Sequence, residues 1–159
     1  MIHLIKDEIN VKEIDMIFKN DSEKLVKVKQ KIYKNVSRVF ATSFHKNSEI
    51  IIDVNTKIFP LSEGDKLDLL ISIPQMKSNN SIEQIYTSGD WNAIIEKELM
   101  EKYEYIMCGT VFHLGNEGDK NFFYASFGGL LMKYFGDLEK NVSRYLKLDS
   151  KILLFIEKI

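Results

Sequence analysis

The stretch FFYASFGGLLMKYFGD, residues 122–137, sets two adjacent glycines, Gly128 and Gly129, in an otherwise aromatic and aliphatic run. Such a pair can cradle a phosphate when a strand precedes it and a helix N-terminus follows, because amides and helix dipole then point at the anion. Only the first condition is met. LLMKYFGD has no acidic first turn, no capping residue and no helical stripe, and no Lys-Ser/Thr pair follows the glycines. They read instead as a bulge, a bend or a close backbone approach within a strand. His3, His45 and His113 lack metal-ligand spacing, and the single cysteine, Cys108, excludes an intramolecular disulfide and a cysteine zinc site. Within YIMCGTVF that cysteine reads as a small buried hydrophobe. Among 23 acidic residues no spacing singles out a catalytic pair. No catalytic residue, metal, cofactor or small-molecule substrate is expected.

The lysines carry more. In KLVKVKQKIYK, Lys24, Lys27, Lys29, Lys31 and Lys34 are interleaved with Leu25, Val28, Ile32 and Tyr33. Single-strand binders combine charge of this kind with stacking aromatics on an open barrel. A solvated strand or loop face produces the same pattern, and both readings stand. Arg38 and Arg144 are the only arginines, so sequence-specific reading of duplex bases, which favours arginine, is not expected.

These residues need elements to hold them. A chain of 159 residues with 45% hydrophobic and 28% charged side chains is read as one domain, 1–159, large enough to fold on its own core. The apolar run in MIHLIKDEIN is too short for a signal peptide, and nothing approaches a membrane span of about 20 residues. A reducing, intracellular setting is expected, with no membrane partner. The clearest periodicity is two. Ile50, Ile52, Val54, Thr56 and Ile58 share one strand face, and Leu67, Leu69, Ile71 and Ile73 share another across the turn SEGDK, which predicts a hairpin. YEYIMCGTVFHL and NFFYASFGGLLMKYF predict a second hairpin about GNEGDK. SRVFATSFH, KILLFIEKI and, more weakly, IHLIKDEINV add further strands. Residues 74–102 have little strand character beyond a possible short helix in NAIIEKELMEK. The sum is an all-β domain of about eight strands, best closed as a barrel so that no edge is left open.

Four segments, DVNTKIFPLSEGDKLDLLIS, YEYIMCGTVF, YASFGGLLMKYFGD and KILLFIEK, with DEINVKEID near the start, carry a resemblance. In order and spacing they resemble the small common (eighth) subunit shared by eukaryotic nuclear RNA polymerases I, II and III. The resemblance implies an eight-stranded antiparallel OB-fold-like barrel with a long Ω loop at residues 74–102. It implies a non-catalytic subunit docked on the largest polymerase subunit and neighbouring core subunits, in the nucleus and nucleolus. It also implies weak, sequence-independent binding of single-stranded DNA through the part corresponding to Lys24–Lys34. A free-standing single-strand-binding module is the alternative. Both faces of residues 124–132 are apolar, while a barrel has one inside, so a docking surface is expected at Tyr124, Ser126, Phe127, Gly128, Gly129, Leu130, Leu131 and Met132.

Overall fold

The computed structural model describes residues 1–21, 24–75, 88–91 and 94–159. In chain order these form β1 (Ile2–Ile14), β2 (Met16–Asp21), β3 (Lys24–Lys29), β4 (Val36–Ser43), β5 (Glu49–Asn55), β6 (Lys66–Ile73), α1 (Lys97–Lys102), β7 (Tyr105–Glu117), β8 (Lys120–Phe127), β9 (Leu130–Gly136), α2 (Lys140–Tyr145) and β10 (Lys151–Lys158). Eight strands close an antiparallel barrel in the order β1-β4-β5-β9-β8-β7-β10-β6. The expected architecture is borne out. Alternation drives it: Ile50, Ile52 and Val54 of β5, Leu67, Leu69 and Ile71 of β6, and Ile152, Leu154 and Ile156 of β10 all point into one core. Phe123 and Tyr134 stack inside it at 5.5 Å between ring centroids. The Tyr134 hydroxyl donates to Ser48 Oγ at 3.0 Å, and burial pushes its pKa up.

The first expected hairpin does not form. β5 pairs with β4 and β9, whereas β6 pairs with β1 and β10. β5 ends at Asn55, and Ile58, expected on its inner face, is exposed. Phe59 is buried instead and stacks on Tyr105 at 5.3 Å. The turn in SEGDK is real, with Gly64 at φ 91°, but it binds β1: Gly64 N–H donates to Val11 O and Val11 N–H to Asp65 O. Good turn chemistry says that a chain reverses, not which strand it meets next.

β6, β7 and β10 are apolar outside as well. Leu70, Leu153 and Phe155 project outward and are covered by Ile94, Ile95 and Tyr103, with Trp91 and Leu99 alongside. The second half of the expected Ω loop is thus a cover, α1 being shorter than NAIIEKELMEK suggested. Lys102 ties it down through Asp68 at 3.0 Å and Glu157 at 3.6 Å. Cys108 is half-buried beside this cover rather than in the barrel core. The rest of the Ω loop, residues 76–87 and 92–93, lies outside the described residues.

Candidate subunit interface

Gly128 and Gly129 form the two-residue turn that joins β8 to β9. Phe127 pairs with Leu130 across it, and the two glycines have φ of 63° and 101°. Positive φ at both central residues is what tight hairpin turns require, because their twist then matches that of the strands. An added Cβ at either glycine would meet nothing within 4 Å. The glycines therefore supply backbone sign, not room, and the expected bulge or close approach within one continuous strand is corrected to a hairpin tip. Gly129 N–H donates to Ser126 Oγ at 3.2 Å.

The turn fixes which side chains face out. Phe123, Ala125 and Phe127 of β8 and Met132 and Tyr134 of β9 are in the core, with Leu130 packed partly against it. Phe122, Tyr124, Ser126, Leu131, Lys133 and Phe135 alternate with them on the outer face. Of the eight expected surface residues, Tyr124, Ser126 and Leu131 face out, and Gly128 and Gly129 are exposed. Phe127 and Met132 are core residues, and Leu131 is 41% exposed where Met132 is 1%.

A bulge enlarges this outer face. The β7–β8 register shifts between Val111 and His113, so Phe112 and His113 both point out. Phe112 lies 5.9 Å from Tyr124, and His113 lies 5.6 Å from Phe122 and 5.7 Å from Tyr124. Lys133 Nζ sits 5.4, 5.6 and 5.5 Å from the centroids of Phe122, Tyr124 and Phe135, within cation–π range. Sequence reading passed over Phe112, Phe122 and Phe135; locating the turn puts Phe122 opposite Phe135, while Phe112 reaches the same face from β7.

Asp53 secures the edge of this face. The β5–β9 ladder stops at Ile52 and Met132. One residue on, the buried Asp53 carboxylate takes over the next bond: Oδ2 accepts Leu131 N–H at 3.0 Å and Arg38 Nη2 at 3.1 Å, while Oδ1 accepts Arg38 Nε at 2.8 Å. The same hydrogen bonds push the guanidinium pKa of Arg38 further up. The arrangement ties β9 to β5 at the edge of an apolar surface; it presents no nucleophile with a base. Among the described residues no group of three His, Cys, Asp or Glu side chains could hold a metal ion.

The five lysines lie elsewhere. Lys24, Lys27 and Lys29 are in β3, and Lys31 and Lys34 follow it. Lys27 pairs with Glu13, Lys29 with Glu63 at 3.8 Å, and Lys31 with Asp15 at 3.9 Å. Lys24 and Lys34 are exposed, and the ion pairs of this run among the described residues are those of Lys27, Lys29 and Lys31.

Against known proteins, residues 20–158 match the family model described as RNA polymerase Rpb8. The chain belongs to the RNA polymerase Rpb8 family. It is 33% identical over 161 residues to the Dictyostelium discoideum subunit rpabc3 of DNA-directed RNA polymerases I, II and III, covering 98% of this chain and 96% of that one. Subunit 8B of DNA-directed RNA polymerases II, IV and V from Arabidopsis thaliana is 33% identical over 132 residues, 81% of this chain and 86% of its own length. The probable subunit RPABC3 of Caenorhabditis elegans is 35% identical over 112 residues, 67% and 72% respectively. The matched span takes in the whole of this Rpb8-family hairpin and its outer face.

One consequence of the turn is measurable. Gly128 at φ 63° lies in the left-handed region that asparagine tolerates, whereas Gly129 at φ 101° lies beyond it. Gly128→Asn is expected to cost under about 1 kcal/mol, and Gly129→Val about 2 kcal/mol or more. Urea denaturation of the two variants checks this; equal losses would contradict the turn geometry.

Proposed function

We propose that this chain is a non-catalytic structural subunit of the nuclear DNA-directed RNA polymerases, nucleolus included, docked on the largest subunit by the outer face of β8 and β9. The observation that carries the docking site is the division of one hairpin into two apolar faces. Phe123, Ala125, Phe127, Met132 and Tyr134 fill the barrel, and Tyr124 and Leu131, flanked by Phe112, Phe122 and Phe135, are left for something else. Contiguous exposed apolar surface of this kind marks an interaction site. The relatives' names as subunits of multisubunit polymerases support what that partner is. A free-standing single-strand-binding module is not favoured, and pairing of Lys27, Lys29 and Lys31 with carboxylates weakens it further.

The test is a photo-reactive amino acid at position 131 of the tagged chain, followed by gel filtration of cell extract. The chain is expected to elute with a very large assembly, with almost no free pool, and to cross-link to the largest subunit. A predominantly free pool would overturn the subunit reading. Elution with the assembly but cross-linking to other proteins would overturn only the docking site.

A further inference from the structure

His113, Tyr124, Lys133, Ile51 and Phe40 form one row across the outer face of β7, β8, β9, β5 and β4, each opposite the next. Lys133 stands at the middle of that row, with Tyr124 on one side and Ile51 on the other. Its Nζ lies over Phe122, Tyr124 and Phe135 at once. The cation is therefore at the centre of the apolar face and not at its rim.

An ammonium has three N–H donors and no acceptor. Ring faces attract its charge, but they are not the oxygen acceptors that its donors need. Glu49 and Glu117 line the same cavity of about 250 Å³ as Lys133 and Phe135. Neither they nor Lys133 take part in an ion pair among the described residues. Both glutamates are exposed and lie off the row, whereas Lys133 is half-buried in it. Water serves this ammonium while the face is open. A partner that covers the face removes that water, and a buried charge is tolerated when it is paired and hydrogen-bonded.

We propose that the partner docked on this face brings an aspartate or glutamate carboxylate onto Lys133 Nζ, and that this pair fixes the partner's register. The inference rests on the docking reading of β8 and β9 and names the group that meets their centre. A central charge pair is fully desolvated on docking, so it discriminates between partners where a rim pair does not. A nucleic-acid strand fits less well. Lys120, 5.3 Å from the Phe135 centroid, is the other cation near these rings, and Glu49 and Glu117 face a phosphate backbone with like charge. The rings on which bases would stack already carry Lys133, and Phe122 lies over Gly115, where an added Cβ would overlap its ring.

The test has two arms. In the first, the assembled polymerase is treated with a carbodiimide, which joins an amine to a carboxylate in direct contact, and linked peptides are identified by mass spectrometry. Lys133 is expected to be joined to an Asp or Glu of the largest subunit. Linkage to Glu49 or Glu117 instead would overturn the proposal, because the chain would then answer its own cation. In the second arm, native and variant chains with different tags are expressed together, and their ratio is read in the purified polymerase. Lys133→Met keeps the apolar stem and strands the partner's carboxylate, so it should fall roughly tenfold or more behind the native chain; Lys133→Arg should stay within about twofold. A Lys133→Met chain incorporated as well as the native one, or better, would overturn the proposal. Leu131→Glu separates this failure from that of the docking reading. If Leu131→Glu is excluded while Lys133→Met is not, only the carboxylate is wrong; if both are incorporated normally, the docking site is wrong as well. Oligothymidine bound by the isolated chain and lost in Lys133→Met would give the face to nucleic acid and overturn the proposal.

Discussion

Met132→Glu is expected to prevent the isolated chain from folding, whereas its neighbour Leu131→Glu is expected to fold normally and lose the polymerase. Met132 is 1% exposed, opposite Ile52 on one side and Ala125 on the other. No base stands beside it among the core residues to pair with a new carboxylate. Leaving a charge unpaired in such a place costs about 3–5 kcal/mol or more. That is a large share of the roughly 5–15 kcal/mol by which domains of this kind are stable. At Leu131, 41% exposed, the cost is that of an ordinary surface replacement, about 0.5 kcal/mol. The Leu131 amide keeps its bond to Asp53 whatever side chain it carries. Circular dichroism melts of the two variants, with co-purification of the largest subunit, read out both effects. If both variants fold and assemble, the docking surface lies elsewhere; if both unfold, the inward and outward sets are wrongly divided.

That pair of neighbours marks the limit of what periodicity conveys. Alternation identified the inner faces of β5 and β6, because residues such as Ile50, Ile52 and Val54 lie within one uninterrupted strand. It failed at Gly128 and Gly129. Phe127 and Leu130 are three residues apart, which in a continuous strand would place them on opposite faces; across the two-residue turn they share one. Read as continuous strand, Phe127 and Leu131 would share a face; across the turn they lie on opposite ones. The bulge between Val111 and His113 resets parity in the same way, and it brings His113 out beside Phe112 on the aromatic outer face. Partner choice was less legible still. What ties the SEGDK turn to β1 is a pair of backbone bonds to Val11, whose side chain has no part in them. The lysine run was visible as charge, but Glu13, Glu63 and Asp15, which answer three of its members, come from other parts of the chain.

Gly109→Ala should destabilise the barrel for a reason opposite to that at the hairpin tip. Gly128 and Gly129 have positive φ and open space around them; Gly109 is a β7 strand residue, paired with Ile152, with no space at all. A Cβ there would overlap the Ser126 carbonyl oxygen and lie 2.6 and 2.9 Å from two ring carbons of Phe127. The ring is 6% exposed and closes the core, so it has little freedom to turn away. The carbonyl belongs to the backbone of β8, so it moves only if the strand does. Overpacking of this kind costs about 1–3 kcal/mol for one methyl group. For a domain of this size that lowers Tm by about 2–4 °C per kcal/mol. Gly109→Val should exceed it. Because the clash has two parts, Phe127→Leu in the Gly109→Ala background should recover the ring's share and leave the carbonyl's. The double variant is then less damaged than the sum of the two single ones, as coupled neighbours require. Strict additivity in thermal denaturation would mean that the Phe127 ring does not rest on Gly109. A Gly109→Ala protein as stable as the native one would mean that β7 and β8 are further apart than described, and that the outer face of the hairpin is less firmly held than docking requires.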